Sequence, residues 1–189
     1  MGGWGLSAIG GIGYWSHHKL TEDRDMILYD YRGLGYSKPD LSKIKPDYDD
    51  EKLPNSAEKI REYYTHRNNK ILDALEDNNI DINMFGTDTN AKDGLLLAEN
   101  LGYKSYNLFG ISNGTLVIQN FLRYAENSTV KIRSAILDSN VPIGYPLHAE
   151  YSTNFSNSLN YILADCANDP GCNKKYPNLK ERYKNFSKA

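Results

Sequence analysis

Residues 106–121 read YNLFGISNGTLVIQNF, and this stretch decides the predicted fold. The short apolar run Tyr106–Gly110 predicts a buried strand, and the apolar residues at helical spacing that follow it predict a helix. Gly-x-Ser-x-Gly, residues 110–114, lies where the strand meets the helix. A serine on such a sharp strand-to-helix turn has its hydroxyl exposed above the sheet, which suits a nucleophile.

The same turn places two further chemical features beside Ser112. The first turn of a helix has unpaired N–H groups and a positive potential. The N–H of Asn113 would therefore point at an oxyanion that develops when Ser112 attacks a carbonyl group. The alternative is an ordinary Gly-Ser turn between a strand and a helix in another α/β fold.

Two more short apolar runs, Met26–Tyr29 and Ala135–Asp138, predict strands on either side of this stretch. A helix is predicted after the capping-box pattern that starts at Asn55, and a second helix is predicted to begin at Thr89 or Asn90. A further helical region spans about 149–165. Alternation of strands and helices predicts an α/β layer with a parallel sheet.

Length and composition limit the classes of protein. The chain has 189 residues, enough for one domain, and a net charge of −2 from 22 basic and 24 acidic residues. Without a basic excess, the composition argues against a nucleic-acid or membrane-surface binder. No apolar run approaches the roughly 18 residues of a spanning helix. With two cysteines, a four-thiolate zinc site is excluded.

The opening Gly2-Gly3-Trp4-Gly5 is a glycine-rich loop. An oxyanion hole needs a second backbone donor, and in hydrolases with a Gly-x-Ser-x-Gly turn an earlier loop supplies it. Gly3 and Trp4 are the candidates for this donor. The alternative is a disordered N-terminus, and the segment lacks the charged and apolar regions of a signal peptide.

The chain resembles the tripeptidyl-aminopeptidase and prolyl-iminopeptidase branch of the α/β-hydrolases. Residues 2–5 resemble the family's His-Gly-Gly-Pro-Gly loop without its His and with Trp4 for Pro. The segment DYRGLGYS, residues 30–37, is similar to Asp-Gln-Arg-Gly-x-Gly-x-Ser, with Tyr31 for Gln. Residues 110–115 resemble Gly-x-Ser-Tyr-Gly-Thr, with Asn113 for Tyr.

Other matched positions extend the resemblance along the chain. Asp93 stands where the family has an Asp before its Leu-Gly pair, and residues 137–138 with Pro142 match the end of the next strand. Cys166 to Cys172 resembles a paired-cysteine loop in the lid of secreted members.

This resemblance implies a fold, a division of the chain into two regions, and an activity. The expected fold is an α/β-hydrolase-type three-layer core with a partial parallel sheet over residues 1–145, followed by the beginning of a helical lid over 146–189. The expected activity is hydrolysis of peptide N-terminal amide bonds or of small esters by Ser112, with Gly3, Trp4 and Asn113 holding the oxyanion. No cofactor and no metal are implied.

The resemblance also implies that part of the catalytic machinery is missing, since the family carries its acid and histidine on later strands. The chain is therefore expected to be truncated at both ends. His148 is the histidine that follows Ser112, and the options are a base for Ser112 in a small carboxylesterase or an exposed loop residue. A further alternative is an inert or partner-dependent fragment, completed by a C-terminal chain or by a homo-oligomer.

The cysteines Cys166 and Cys172 are open to two interpretations from spacing alone, a disulfide in an oxidising compartment or two free thiols. The resemblance favours the disulfide, with a periplasmic or secreted location. The expected partners are a peptide or small ester substrate, with no nucleic acid and no membrane.

Overall fold

The computed structural model describes residue 3 and residues 5–44 and 54–186. The chain forms two compact units, Met1–Ile143 and Gly144–Ala189. The division falls two residues before the boundary predicted after residue 145.

Helices account for most of the secondary structure and for 58% of the described residues. Short 3-10 helices lie at 9–11, 19–21, 41–43 and 82–84. The α-helices of the first unit are α1 (Ile12–Trp15), α2 (Ala57–Asp77), α3 (Thr87–Leu101) and α4 (Asn113–Ala125). Those of the second unit are α5 (Leu147–Asn168), α6 (Pro170–Lys175) and α7 (Leu179–Phe186).

The sheet in the described residues has two parallel strands, β1 (Tyr106–Ile111) and β2 (Ile132–Asp138). Helix α4 connects them, because parallel neighbours need a crossover. The expected three-layer α/β-hydrolase core is therefore wrong: this is a mostly helical fold with a two-stranded sheet. A strand needs a hydrogen-bonded neighbour, and too few segments of the described chain pair with one another to build the three-layer core.

The expected core included a strand at Met26–Tyr29, and the structure forms no strand there. Residues 25–31 run without a turn, bend or helix, but they join no strand ladder. The prediction of a strand at this apolar run is therefore wrong, because the run pairs with no other described strand. Apolar character places a segment against a core, while pairing depends on a second strand arriving beside it.

Strand β2 is more exposed than a buried parallel strand should be. All of its residues after Ile132 are exposed, including Ile136 at 50% and Leu137 at 36%. These two side chains point to opposite faces of the sheet. Both faces of β2 are thus open within this unit.

Helix boundaries differ slightly from the predicted ones. Ser56, rather than Asn55, caps α2 by accepting a hydrogen bond from the Lys59 N–H. Helix α3 begins at Thr87, before the predicted cap at Thr89 or Asn90. Gly102 ends α3 in the left-handed conformation with φ 75°, where a glycine carries no Cβ penalty.

The core of the first unit lies between α3, α4 and the sheet. Its buried members are all small or apolar and come from two helices and the approach to β2: Ala91, Ala98, Val117, Phe121 and Val130. Burial of such side chains drives folding by about 25 cal/mol per Å² of apolar surface. This packing fixes α4, and with it Ser112, relative to β1.

The second unit is helical, with α5 longer than the predicted 149–165. The Cys166 and Cys172 sulfurs are bonded to each other, so this loop contains a disulfide. Asp169 between them caps α6 by accepting the Cys172 N–H at 2.6 Å.

Candidate functional site: a serine at a strand-to-helix turn

Ser112 lies between the last residue of β1 and the first residue of α4 with φ 50° and ψ −117°. Positive φ is uncommon for a residue with a side chain, and a residue held there stores about 1–3 kcal/mol of strain. Backbone strain of this kind is concentrated at functional sites. The sharp turn predicted from Gly-x-Ser-x-Gly is therefore present in the backbone.

The two glycines of the pattern are in close contact. A Cβ built on Gly110 would lie 2.7 Å from the carbonyl oxygen of Gly114 and 2.7 Å from Cδ1 of Ile118. No side chain fits between β1 and the first turn of α4 at this point. Glycine at residue 110 is thus what lets the helix start directly above the strand.

Hydrogen bonds hold the turn from both sides. The Ser112 N–H donates to the Asp138 carbonyl oxygen at 2.9 Å, which extends the β1–β2 ladder by one residue. The Thr115 hydroxyl, fully buried, donates to the Ser112 carbonyl oxygen at 2.6 Å and accepts from the Val141 N–H at 2.9 Å. Thr115 is a positioning residue for which the sequence assigned no role, although it belongs to the resembled motif.

The Ser112 side chain remains available for chemistry. It is half-buried and does not cap α4. Within the described part of the first unit, no side chain forms a hydrogen bond with its hydroxyl oxygen. A serine hydroxyl is a weak nucleophile without a base, so a proton acceptor must come from elsewhere.

Asn113 is the predicted oxyanion donor that follows Ser112. Its N–H lies in the first turn of α4, where N–H groups have no partner within the helix. Its side chain is only 4% exposed, and its Oδ1 atom has no hydrogen-bond partner in the described chain. Such orphaned buried acceptors are rare and costly, and this one is adjacent to the candidate nucleophile.

The glycine-rich loop adopts conformations that need glycine. Gly3 has φ 85° and Gly5 has φ 84°. A Cβ on Gly3 would also meet Cδ1 of Leu6 at 2.7 Å. Trp4, the other predicted donor of this loop, lies outside the described residues.

Asp30 anchors the segment that follows the glycine-rich loop. Its buried carboxylate accepts hydrogen bonds from the Ser7 hydroxyl at 2.8 Å, the Ile9 N–H at 3.1 Å and the Tyr36 N–H at 3.1 Å. Burial alone raises the pKa of Asp30, but these hydrogen bonds more than offset it and place the pKa below its ordinary value. The sequence placed Asp30 in the resembled motif without assigning this role.

An ion pair between Arg32 and Asp93 connects two further segments of the resemblance, residues 30–37 and helix α3. The Arg32 guanidinium donates to both carboxylate oxygens of Asp93, at 2.7 and 2.5 Å, and to the Met84 carbonyl oxygen at 3.2 Å. The hydrogen bonds to Asp93 raise the pKa of Arg32. Beside it, burial raises the pKa of Tyr31 to about 12.

The predicted base, His148, lies in the first turn of α5 in the second unit and is exposed. Its ring contacts Tyr151 with 5.2 Å between centroids. His18, in the first unit, accepts the Leu20 N–H through Nδ1 at 3.2 Å and packs on Trp15. In the described contacts, His18 caps the 3-10 helix at 19–21.

The described residues contain no cluster of three metal-ligating side chains and no helix long and apolar enough to cross a membrane. A comparison with known proteins finds no family model, curated protein or solved structure that matches this chain. The assignment of function therefore depends on the chemistry of the Ser112 turn.

Proposed function

We propose that this protein is a serine hydrolase in which Ser112 attacks ester bonds or peptide N-terminal amide bonds. The observation that carries the proposal is the Ser112 backbone, φ 50° and ψ −117°, at the junction of a strand and a helix. Close contact between Gly110 and Gly114 supports it, because this contact is what makes so tight a turn possible.

In this proposal the Ser112 oxygen bonds to the substrate carbonyl carbon while its proton passes to a base. The carbonyl oxygen becomes an oxyanion, and the Asn113 N–H donates to it together with an N–H of the Gly3–Trp4 loop. Collapse of the tetrahedral intermediate expels the amine or alcohol, which takes the proton from the base. Water then releases the acyl group from Ser112. In the alternative of a small carboxylesterase, His148 is that base.

A second candidate function is a partner-dependent fragment without activity of its own. It is favoured by the open sheet, since β2 exposes both faces and the sheet has two strands in the described residues. Parallel sheets are normally covered on both faces. A partner chain would then cover the open sheet and supply the acid and the base.

The experiment is labelling with a fluorophosphonate probe together with hydrolysis of a p-nitrophenyl ester. The variants are Ser112→Ala and His148→Ala, with Ser105→Ala as the matched control, since Ser105 is an exposed serine outside helix and strand. Labelling that needs Ser112 supports a hydrolase, and turnover that also needs His148 supports the small carboxylesterase with His148 as its base. Labelling unaffected by Ser112→Ala contradicts the hydrolase proposal, and no labelling of the wild type supports the partner-dependent fragment.

A further inference from the structure

Strand β1 has one edge without a neighbour. The N–H groups of Tyr106 and Ser112 donate towards β2, to Lys131 and Asp138. Because strand backbone groups alternate in direction, those of Asn107, Phe109 and Ile111 point to the other edge. In the described chain no second strand pairs with that edge.

The extended segment 25–31 also lacks a neighbouring strand to pair with. None of the backbone groups of Met26–Tyr29 forms a hydrogen bond with another described backbone group. Side chains hold the segment instead: the Tyr103 hydroxyl donates to Asp25 at 2.6 Å, and the Tyr29 hydroxyl donates to the Asn90 carbonyl oxygen at 3.1 Å. Asp30 is buried at the end of the segment. These side-chain contacts hold the segment although its backbone pairs with no strand.

A cavity of about 400 Å³ is lined by residues of both segments, and we call it the edge cleft. Consecutive residues of each segment line it, 26–29 and 106–109, so it meets the strand edges and not one face alone. The rest of its wall is mainly apolar and includes Trp15, Leu97, Val117, Ile118 and Phe121.

We propose that the edge cleft binds an extended apolar peptide strand of a partner protein. The two walls of the cleft, β1 and Met26–Tyr29, have unpaired backbone donors and acceptors. An extended peptide is the occupant that can form backbone hydrogen bonds with both walls at once. A helix uses its own backbone groups internally and would leave these unpaired. Apolar walls select apolar side chains on the incoming strand.

This inference is independent of the proposed chemistry at Ser112. Insertion of one strand would give β1 a hydrogen-bonded partner at each edge, so its unpaired backbone groups would be satisfied. It would also give Met26–Tyr29 the neighbour that the sequence predicted for it. The site is therefore an interaction surface for a polypeptide and needs no catalytic step.

The test uses the full chain, isotopically labelled, and a capped peptide of sequence KVIVAV. Hydrogen exchange is followed by NMR at each backbone amide with and without peptide. We expect saturable binding that slows exchange at Asn107, Phe109 and Ile111 by at least about tenfold, which corresponds to about 1.4 kcal/mol. The matched control is the same peptide with alternate nitrogens methylated, which keeps its apolar side chains and removes donors from one edge.

Four results would overturn the proposal. Equal affinity for the methylated peptide shows that backbone pairing is not involved. Protection of the Arg133, Ala135 and Leu137 amides instead places the peptide on the open edge of β2. If sedimentation shows a dimer without peptide, with Phe109 already protected, the occupant is a second copy of this chain. Absence of binding at millimolar peptide also contradicts the inference.

Discussion

The Asp30 carboxylate occupies the space in which a side chain at residue 35 would lie. A Cβ built on Gly35 would be 1.9 Å from Oδ2 of Asp30, and Gly35 has φ 53°. Glycine at residue 35 therefore allows the loop to close over the carboxylate. The same carboxylate binds Ser7 and Ile9, so the closure connects the segment that follows the glycine-rich loop with the loop after the extended segment.

Gly35→Ala is expected to destabilise the protein by more than about 2 kcal/mol, because it combines a clash with the Asp30 carboxylate and a strained φ. Gly13→Ala is the matched control, since a Cβ on Gly13 meets no atom within 4 Å and the residue lies in helix α1. Urea unfolding measures both. Equal stabilities of the two variants would show that the loop does not close over Asp30.

Asp30 should make stability depend on pH in the acid range. Its pKa is lowered in the folded protein, so the carboxylate contributes stability above the ordinary aspartate pKa of about 4. That contribution disappears as pH falls through the lower folded pKa. Asp30→Asn, which cannot accept all three hydrogen bonds, should cost about 1–3 kcal/mol at neutral pH and less at about pH 2. A cost that stays constant over this range would contradict the assignment.

Ser112→Gly is expected to be more stable than Ser112→Ala, by roughly 1 kcal/mol, because glycine adopts positive φ without the Cβ penalty. At Ser105, whose φ is not positive, the order should reverse, with the glycine variant less stable than the alanine variant. Thermal unfolding of the four variants gives the comparison. If alanine is also preferred at residue 112, the turn lacks the backbone strain on which the nucleophile proposal depends.

The bidentate pair of Arg32 and Asp93 should show measurable coupling. Both side chains are partly buried, 24% and 34% exposed, and charge-assisted paired hydrogen bonds are stronger than exposed ion pairs. A double-mutant cycle with Arg32→Gln and Asp93→Asn should give a coupling of about 1–2 kcal/mol. The exposed pair Arg24 and Asp23 is the control, and its coupling should be too small to measure.

Local features of the site followed from neighbouring residues, which is why the sequence could predict them. The Ser112 turn depends on Gly110 and Gly114, both within two residues of the serine. The end of α3 at Gly102 depends on the ability of glycine to adopt φ 75°. The connection of Asp30 to Ser7 was beyond prediction, since 23 residues separate the two and only the fold brings them together.

The sequence by itself determined the turn at Ser112, the end of α3 at Gly102 and the presence of helices α2 to α5, because these features depend on glycine, capping side chains and apolar spacing over a few residues. Only the tertiary structure decided how many extended segments pair. Met26–Tyr29 and β1 are both extended, but a ladder requires two backbones to lie about 4.8 Å apart. The packing of α3 and α4 on the sheet sets this distance between backbones. In the described chain it leaves Met26–Tyr29 unpaired and leaves β1 with an open edge.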